Sequence, residues 1–182
     1  NMKKCKVCSK EFEPYRSTQK VCSFECAIIL TNSETQRSFK KKVAFERKKF
    51  NYENLTLSDW KKKVQTIFNK YIRLRDVNKG CVSCGVPLQN RKFDAGHFYP
   101  STYEGLRFNE LNVHGQCVPC NREKHGNLHE YRKRILTRIN QEDLDWLDAN
   151  RNTKLKLSKN ELEDLFIHYT NKVKHEQLKQ ND

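Results

Sequence analysis

The sequence predicts an α+β protein, mostly helical, built around a zinc-stapled β-β-α core with an N-terminal zinc-binding module and flanking helices. Three observations predict it. All eight cysteines fall into four close pairs, Cys5/Cys8, Cys22/Cys26, Cys81/Cys84 and Cys117/Cys120. Outside the stretch from Cys81 to Asn127, apolar residues recur mostly at helical spacing. The hydrophobic fraction of the 182 residues is only 36%, below the usual ~45–50%, so small modules here need a metal to stabilise them.

Residues 1–30 form the first expected module. The pattern Cys5-x2-Cys8-x13-Cys22-x3-Cys26 reads as a knuckle, a short hairpin and a helix starting near the second pair, with Phe12, Tyr15 and Phe24 placed to cover the metal. Residues 31–57 read as a basic helical linker, in which Lys40, Lys41 and Lys42 head a run of cations with a thin apolar stripe. Residues 51–57 are an expected break. Ser58 then reads as the N-cap of a helix to about Val77, whose face is Trp60, Val64, Ile67, Phe68, Tyr71 and Ile72.

Residues 58–140 are expected to be the central domain. Gly85 turns the first knuckle, Lys92–Tyr99 and Leu111–Gln116 read as strands, and a helix opens at Pro119, behind the second knuckle. Residues 127–140 and 141–149 read as further helices. The C-terminal region, 141–182, closes with a helix through about Lys179, started by a capping box of Ser158 and Glu161.

The central stretch carries the chemistry. Cleaving a phosphodiester requires a base for water, a cation for the charge on phosphate and leaving oxygen, and a frame that holds both in register. His97, at the end of the first expected strand, can accept a proton near neutral pH. Asn112 is placed to brace the loop before the second strand. Asn121 follows Cys120, so zinc would fix its amide, which suits a hard ion such as Mg²⁺ or Mn²⁺. Asp94 is the nearest acid. It lies three residues before His97, so the two side chains point oppositely unless the strand bulges, and Gly96 is where a bulge would fit. If Asp94 does not bind the ion, His97 or His114 could. Arg107, His114, Arg122 and Lys124 lie where phosphates would approach.

The net charge of +14 favours a polyanionic partner, above all nucleic acid. Each four-thiolate zinc site would subtract two charges and leave the chain strongly basic. No signal peptide is read at the N-terminus, Asn1 ahead of Met2 reads as an added residue, and no apolar run approaches membrane-spanning length. Paired cysteines in a reducing cytoplasm bind metal more often than they form disulfides. The expected location is therefore cytoplasmic, with no membrane partner. Thiol redox chemistry is disfavoured, because no thioredoxin-like βαβ pattern accompanies the pairs.

The runs Asp94-Ala95-Gly96-His97-Phe98, Leu106 through Cys117, and Cys120-Asn121 through Leu128 resemble the phage NinG (Rap-type) recombination proteins. The N-terminal cysteine module, basic middle and C-terminal helices resemble that family too. The resemblance implies an HNH-like, single-metal centre beside a structural zinc, and a structure-selective endonuclease acting on Holliday junctions and D-loops in a host bacterial cytoplasm. Other recombination proteins and a second copy of the chain are further candidate partners, since paired cuts in a four-way junction suit a dimer. The alternative is a non-catalytic zinc-dependent DNA-binding or adaptor protein. The Asp-His-Asn set between the knuckles favours the enzyme, because a bare zinc ribbon has no use for it.

Overall fold

The computed structural model describes residues 2–180. The chain divides into two compact units between Leu55 and Thr56. In the first, β1 (Lys3–Lys4) pairs antiparallel with β2 (Glu11–Phe12), and Ser9 turns between them at φ +60°. Ser23 then caps α1 (Phe24–Glu53), its hydroxyl accepting from the Cys26 amide. Cys5, Val21 and Cys26 form a small core with Phe12, Ala27 and Leu30 against it. The expected cover of Tyr15 and Phe24 is not there: both are exposed. α1 has no Gly or Pro to stop it before Asn54, and Cys26 is its only buried residue.

The second unit opens two residues before the expected cap. Thr56, not Ser58, caps α2 (Leu57–Asp76), because Asp59 stands at the right offset to return its hydrogen bond and complete a capping box. Trp60, Val64, Phe68, Tyr71 and Ile72 form the buried face of α2, as their spacing requires. β3 (Phe93–His97) pairs antiparallel with β4 (Val113–Cys117). The ribbon is joined by a loop holding a 3₁₀ turn at Glu104–Leu106.

The helix expected to open at Pro119 is only one π-helical turn, Pro119–Glu123. Two left-handed residues, His125 and Asn127, flank a Gly126 that also has positive φ, and these end the run. α3 (Leu128–Arg134) starts beyond them. A 3₁₀ turn, Ile135–Thr137, stands where a longer helix was expected. Asn140 caps α4 (Gln141–Asn150), and Ser158 with Glu161 caps α5 (Lys159–Lys179). The described residues of 141–180 are not packed apart from 58–140. Tyr169 and Val173 of α5 share one core with Phe68, Tyr71, Ile72 and Val113. A second core gathers Val82, Phe98, Leu106, Tyr131, Ile135, Leu144 and Leu147.

A buried charge ties α2 to β4. Asp76 is fully buried, and its carboxylate accepts from the Gly115 amide at 2.7 Å and from Arg75 at 2.9 Å twice. Arg75 in turn donates to the Val113 carbonyl at 2.8 Å and the Glu110 carbonyl at 3.2 Å. Burial by itself would raise the pKa of Asp76, but the guanidinium and the Gly115 amide outweigh it and hold the carboxyl well below the usual range. Gly115 must be glycine here, since a Cβ would meet Leu88 at 2.7 Å and Asp76 at 2.9 Å.

Because the folded pKa is depressed, Asp76 stabilises the fold fully above its unfolded value, ~3.9, and less as pH falls below it. Asp76→Ala should cost roughly 3–5 kcal/mol in urea unfolding, since it strands Arg75 without its counter-charge. Asp76→Asn should remove the stability loss that wild type shows below about pH 4; an unchanged acid limb would refute the assignment.

Candidate functional site

Two cysteine tetrads are the best-defined chemical groups in the molecule. Cys5, Cys8, Cys22 and Cys26 form one and Cys81, Cys84, Cys117 and Cys120 the other, the sulfurs of each within 4.8 Å of one another. The Cys8–Cys22 and Cys84–Cys117 sulfurs are 3.4 Å and 3.7 Å apart. Disulfide sulfurs would be ~2.05 Å apart, whereas a tetrahedral zinc with bonds of ~2.3 Å needs sulfurs roughly 3.8 Å apart. Each tetrad could therefore bind zinc. Among the described residues no third group of three or more His, Cys, Asp or Glu gathers in this way.

The central tetrad closes the hairpin. Cys81 donates its amide to the Val86 carbonyl at 2.7 Å, and Gly85, at φ +79°, makes the turn. The Cys117 amide donates to the Cys81 sulfur at 3.4 Å. The knuckle after β3 and β4 thus lies against the knuckle before them, and Asn121 starts from a fixed point.

Asp94 and Asn121 come together. The Asn121 amide nitrogen donates to Asp94 Oδ2 at 3.0 Å, and Arg122 clamps both carboxylate oxygens at 2.8 Å. The Arg122 pair, ahead of the Asn121 bond, lowers the pKa of Asp94 and keeps it ionised. A carboxylate has about four lone-pair sites, so one on Oδ1 is left for an ion. Mg²⁺ is commonly held by one or two carboxylates with water and substrate phosphate completing the shell. A hard ion held by Asp94 and Asn121 fits that pattern.

His97 does not join them. The two strands pair one-to-one from Phe93↔Cys117 to His97↔Val113, so no bulge occurs at Gly96 and Asp94 and His97 lie on opposite faces. Gly96 is glycine for another reason: a Cβ there would run into the Gln116 side chain at 2.2 Å. The half-buried His97 ring has its Nε2 3.0 Å from the Arg107 carbonyl. A carbonyl only accepts, so that nitrogen carries the proton and Nδ1 is left with a free lone pair. Burial lowers the pKa of His97, partly offset by the carbonyl.

Asn112 is fully buried and cross-links the loop. Its Oδ1 accepts from the Tyr99 amide at 2.8 Å, while its Nδ2 donates to the Tyr99 and Leu106 carbonyls at 2.9 and 3.0 Å. His114, expected among DNA-contacting residues, is not available for that. It is buried, Nδ1 accepts from Arg75 at 3.1 Å and Nε2 donates to the Leu111 carbonyl at 3.0 Å. Burial and the Arg75 charge push its pKa down to about 4, so it is neutral and spent on structure, and it does not serve as the alternative metal ligand.

Arg107 donates to Gln65 at 2.9 Å and lies 5.5 Å over the Phe108 ring. Arg122 is engaged with Asp94, and Lys124 is exposed. Lys40, Lys41 and Lys42 are exposed on α1 of the first unit. Sequence reasoning missed Arg75 and Asp76, although Asp76 continues the four-residue row Trp60, Val64, Phe68, Ile72 into the core. It also missed Tyr131, whose buried hydroxyl donates to the Gly96 carbonyl at 3.0 Å.

The second unit thus presents a two-stranded ribbon closed by a cysteine tetrad that could bind zinc, with Asp94, His97 and Asn112 between the two cysteine pairs and Asn121 directly after the second, which is the arrangement of a mixed α+β protein with two possible four-cysteine metal sites. The model of the Bacteriophage Lambda NinG protein family matches residues 1–180, and the chain belongs to that family. It is 36% identical over 167 residues to Protein ninG of Escherichia phage lambda, covering 82% of this chain and 81% of that one. The Enterobacteria phage H19B relative is 38% identical over 165 residues, covering 82% of each. The Salmonella phage P22 relative is 33% identical over 165 residues, covering 81% of each. No solved structure matches the chain. No helix among the described residues is long and apolar enough to cross a membrane.

Metal analysis of the purified chain should give about two zinc ions, one for each tetrad. Cys117→Ser should leave about one and should raise amide exchange in β3 and β4. Full zinc content in that variant would exclude the central tetrad as a zinc site.

Proposed function

We propose that this chain is a structure-selective DNA endonuclease, hydrolysing phosphodiester bonds in branched recombination intermediates such as Holliday junctions and D-loops. The observation that carries the reading is the His97 hydrogen bond to the Arg107 carbonyl. It fixes the tautomer, and the lowered pKa keeps Nδ1 unprotonated at neutral pH. Nδ1 then takes the proton from water as the water oxygen bonds to phosphorus, and the bond from phosphorus to the 3′ oxygen breaks with its electron pair going to that oxygen, which takes a proton from solvent. Asn112 keeps the loop carrying Arg107 in place, and so keeps the imidazole turned. Asp94 and Asn121, on the other face of the ribbon, could hold one Mg²⁺ or Mn²⁺, which would supply positive charge to the bound phosphate backbone.

One observation favours the non-catalytic alternative. Arg122 already occupies both oxygens of Asp94, on the strand face away from His97. In that reading the chain is a zinc-dependent DNA-binding or adaptor protein, and the Asp94–Arg122 pair is structural.

The deciding assay compares junction, flap and plain duplex, with and without Mg²⁺ or Mn²⁺. Wild type should cut the branched forms, and His97→Ala should lose roughly 10²–10⁴-fold in rate with DNA binding retained. No cutting by contaminant-free wild type would hand the case to the adaptor. The pH profile gives a separate check. A base of lowered pKa stays active at lower pH, so the acid limb of kcat/KM should fall below the ordinary histidine value, ~6.5. A limb above that value would remove His97 from the role.

A further inference from the structure

A cleft of about 630 Å³ opens between the loop that follows β3 and the start of α3, within the roughly 300–1,000 Å³ of small-molecule sites. Tyr99, Pro100, Tyr103 and Leu128 wall it, and Arg132 and Lys133 stand at its edge. Its first wall residue, Phe98, directly follows His97 in the chain. We propose that this cleft receives an unpaired nucleobase of the bound DNA, with the phosphate of that nucleotide at Lys133 and His129.

The wall is an aromatic ladder. Phe98 and Tyr99 have centroids 4.8 Å apart at 64°, and Tyr99 and Tyr103 have centroids 5.7 Å apart at 66°. Phe98 is buried in the core beneath, and the half-buried Tyr99 and Tyr103 are the rings on which a further ring can stack. The polar part is held ready. Arg132 bonds Asp148 through both terminal nitrogens, the Nη1 contact at 3.1 Å, and its guanidinium lies 5.7 Å from the Phe98 centroid. The Tyr99 hydroxyl donates to the same carboxylate at 2.5 Å. One acid on α4 thus fixes a tyrosine and an arginine together, so little side-chain freedom is lost when a ligand arrives. The guanidinium has five N–H donors, more than Asp148 occupies, and can meet a base edge or a phosphate.

The mixture of walls and rim selects the occupant. A phosphate alone has no use for the two tyrosine rings, and a purely apolar ligand has none for the cations. Every base has a π-face, so stacking of this kind tolerates any sequence. Bases inside a duplex have both faces covered by neighbours, and only a base released at a branch, flap or gap can enter. Lys133 is now 2.9 Å from Glu130, an exposed pair of little strength that a phosphate can replace. The inference rests on the nucleic-acid part of the reading under Proposed function and not on its cutting step.

The test uses the full, zinc-loaded chain without added Mg²⁺ or Mn²⁺, and 2-aminopurine placed either in the unpaired gap of a branched oligonucleotide or inside a plain duplex. Binding should change the fluorescence of the gap probe and leave the duplex probe unchanged. Tyr103→Leu should weaken binding to the gapped DNA about tenfold, leaving duplex affinity and salt dependence as they were, and Tyr103→Phe should restore it. Lys133→Ala should lower the slope of log affinity against log salt by about one. Equal losses on both DNAs for Tyr103→Leu, no loss on either, or no binding at all would overturn the subsite. Cutting of a junction with Mg²⁺ is followed in parallel. Base capture without cutting overturns only the endonuclease reading, and cutting without base capture overturns only the subsite.

Discussion

The Asp76 carboxylate, buried at the end of α2, is the contact on which the rest of the second unit depends. A bare ionised acid in that position would be costly to bury. Here it is offset by Arg75 and by the Gly115 amide, and the consequence is geometric. The middle of β4 is fastened to α2, while the Cys117 end of the same strand is fastened to the knuckle at Cys81. A ribbon of two short strands is marginal alone. Held at two points, it can present Asp94 on one face and His97 on the other without slipping in register.

Those two faces explain why histidines so close in the chain behave so differently. His114 and His97 sit on paired strands, and each bonds a carbonyl through Nε2. His114 also spends Nδ1 on Arg75, so it has no lone pair left for chemistry. Among the described residues no hydrogen bond engages the Nδ1 of His97, and burial favours its neutral form. Local wiring, and not residue type, separates a structural imidazole from a candidate base.

Much of this was legible in the residues. The cysteine spacing marks both tetrads, the row Trp60, Val64, Phe68, Ile72 marks the inner face of α2, and Ser158 with Glu161 marks the start of α5. The rest was hidden for physical reasons. Gly96 reads equally well as a bulge or as a close approach, and only the packing of Gln116 decides it. The helix after Cys120 stops because three consecutive residues take positive φ, and His125 gives no hint of that. The docking of α5 on α2 joins parts of the chain a hundred residues apart, and no local pattern encodes which apolar stripe meets which. At the candidate site, the residue types were readable, but the Arg122 clamp on Asp94 was not, because any exposed arginine looks alike in sequence.

The cysteines at 81, 84, 117 and 120 enclose every residue from Asp94 to Asn112 in one loop. A ligand set of this kind is seldom assembled before its ion arrives. If the tetrad takes zinc, closing this loop and loading the metal would be one event, so the yield of folded molecules would follow the supply of the ion as much as the supply of polypeptide.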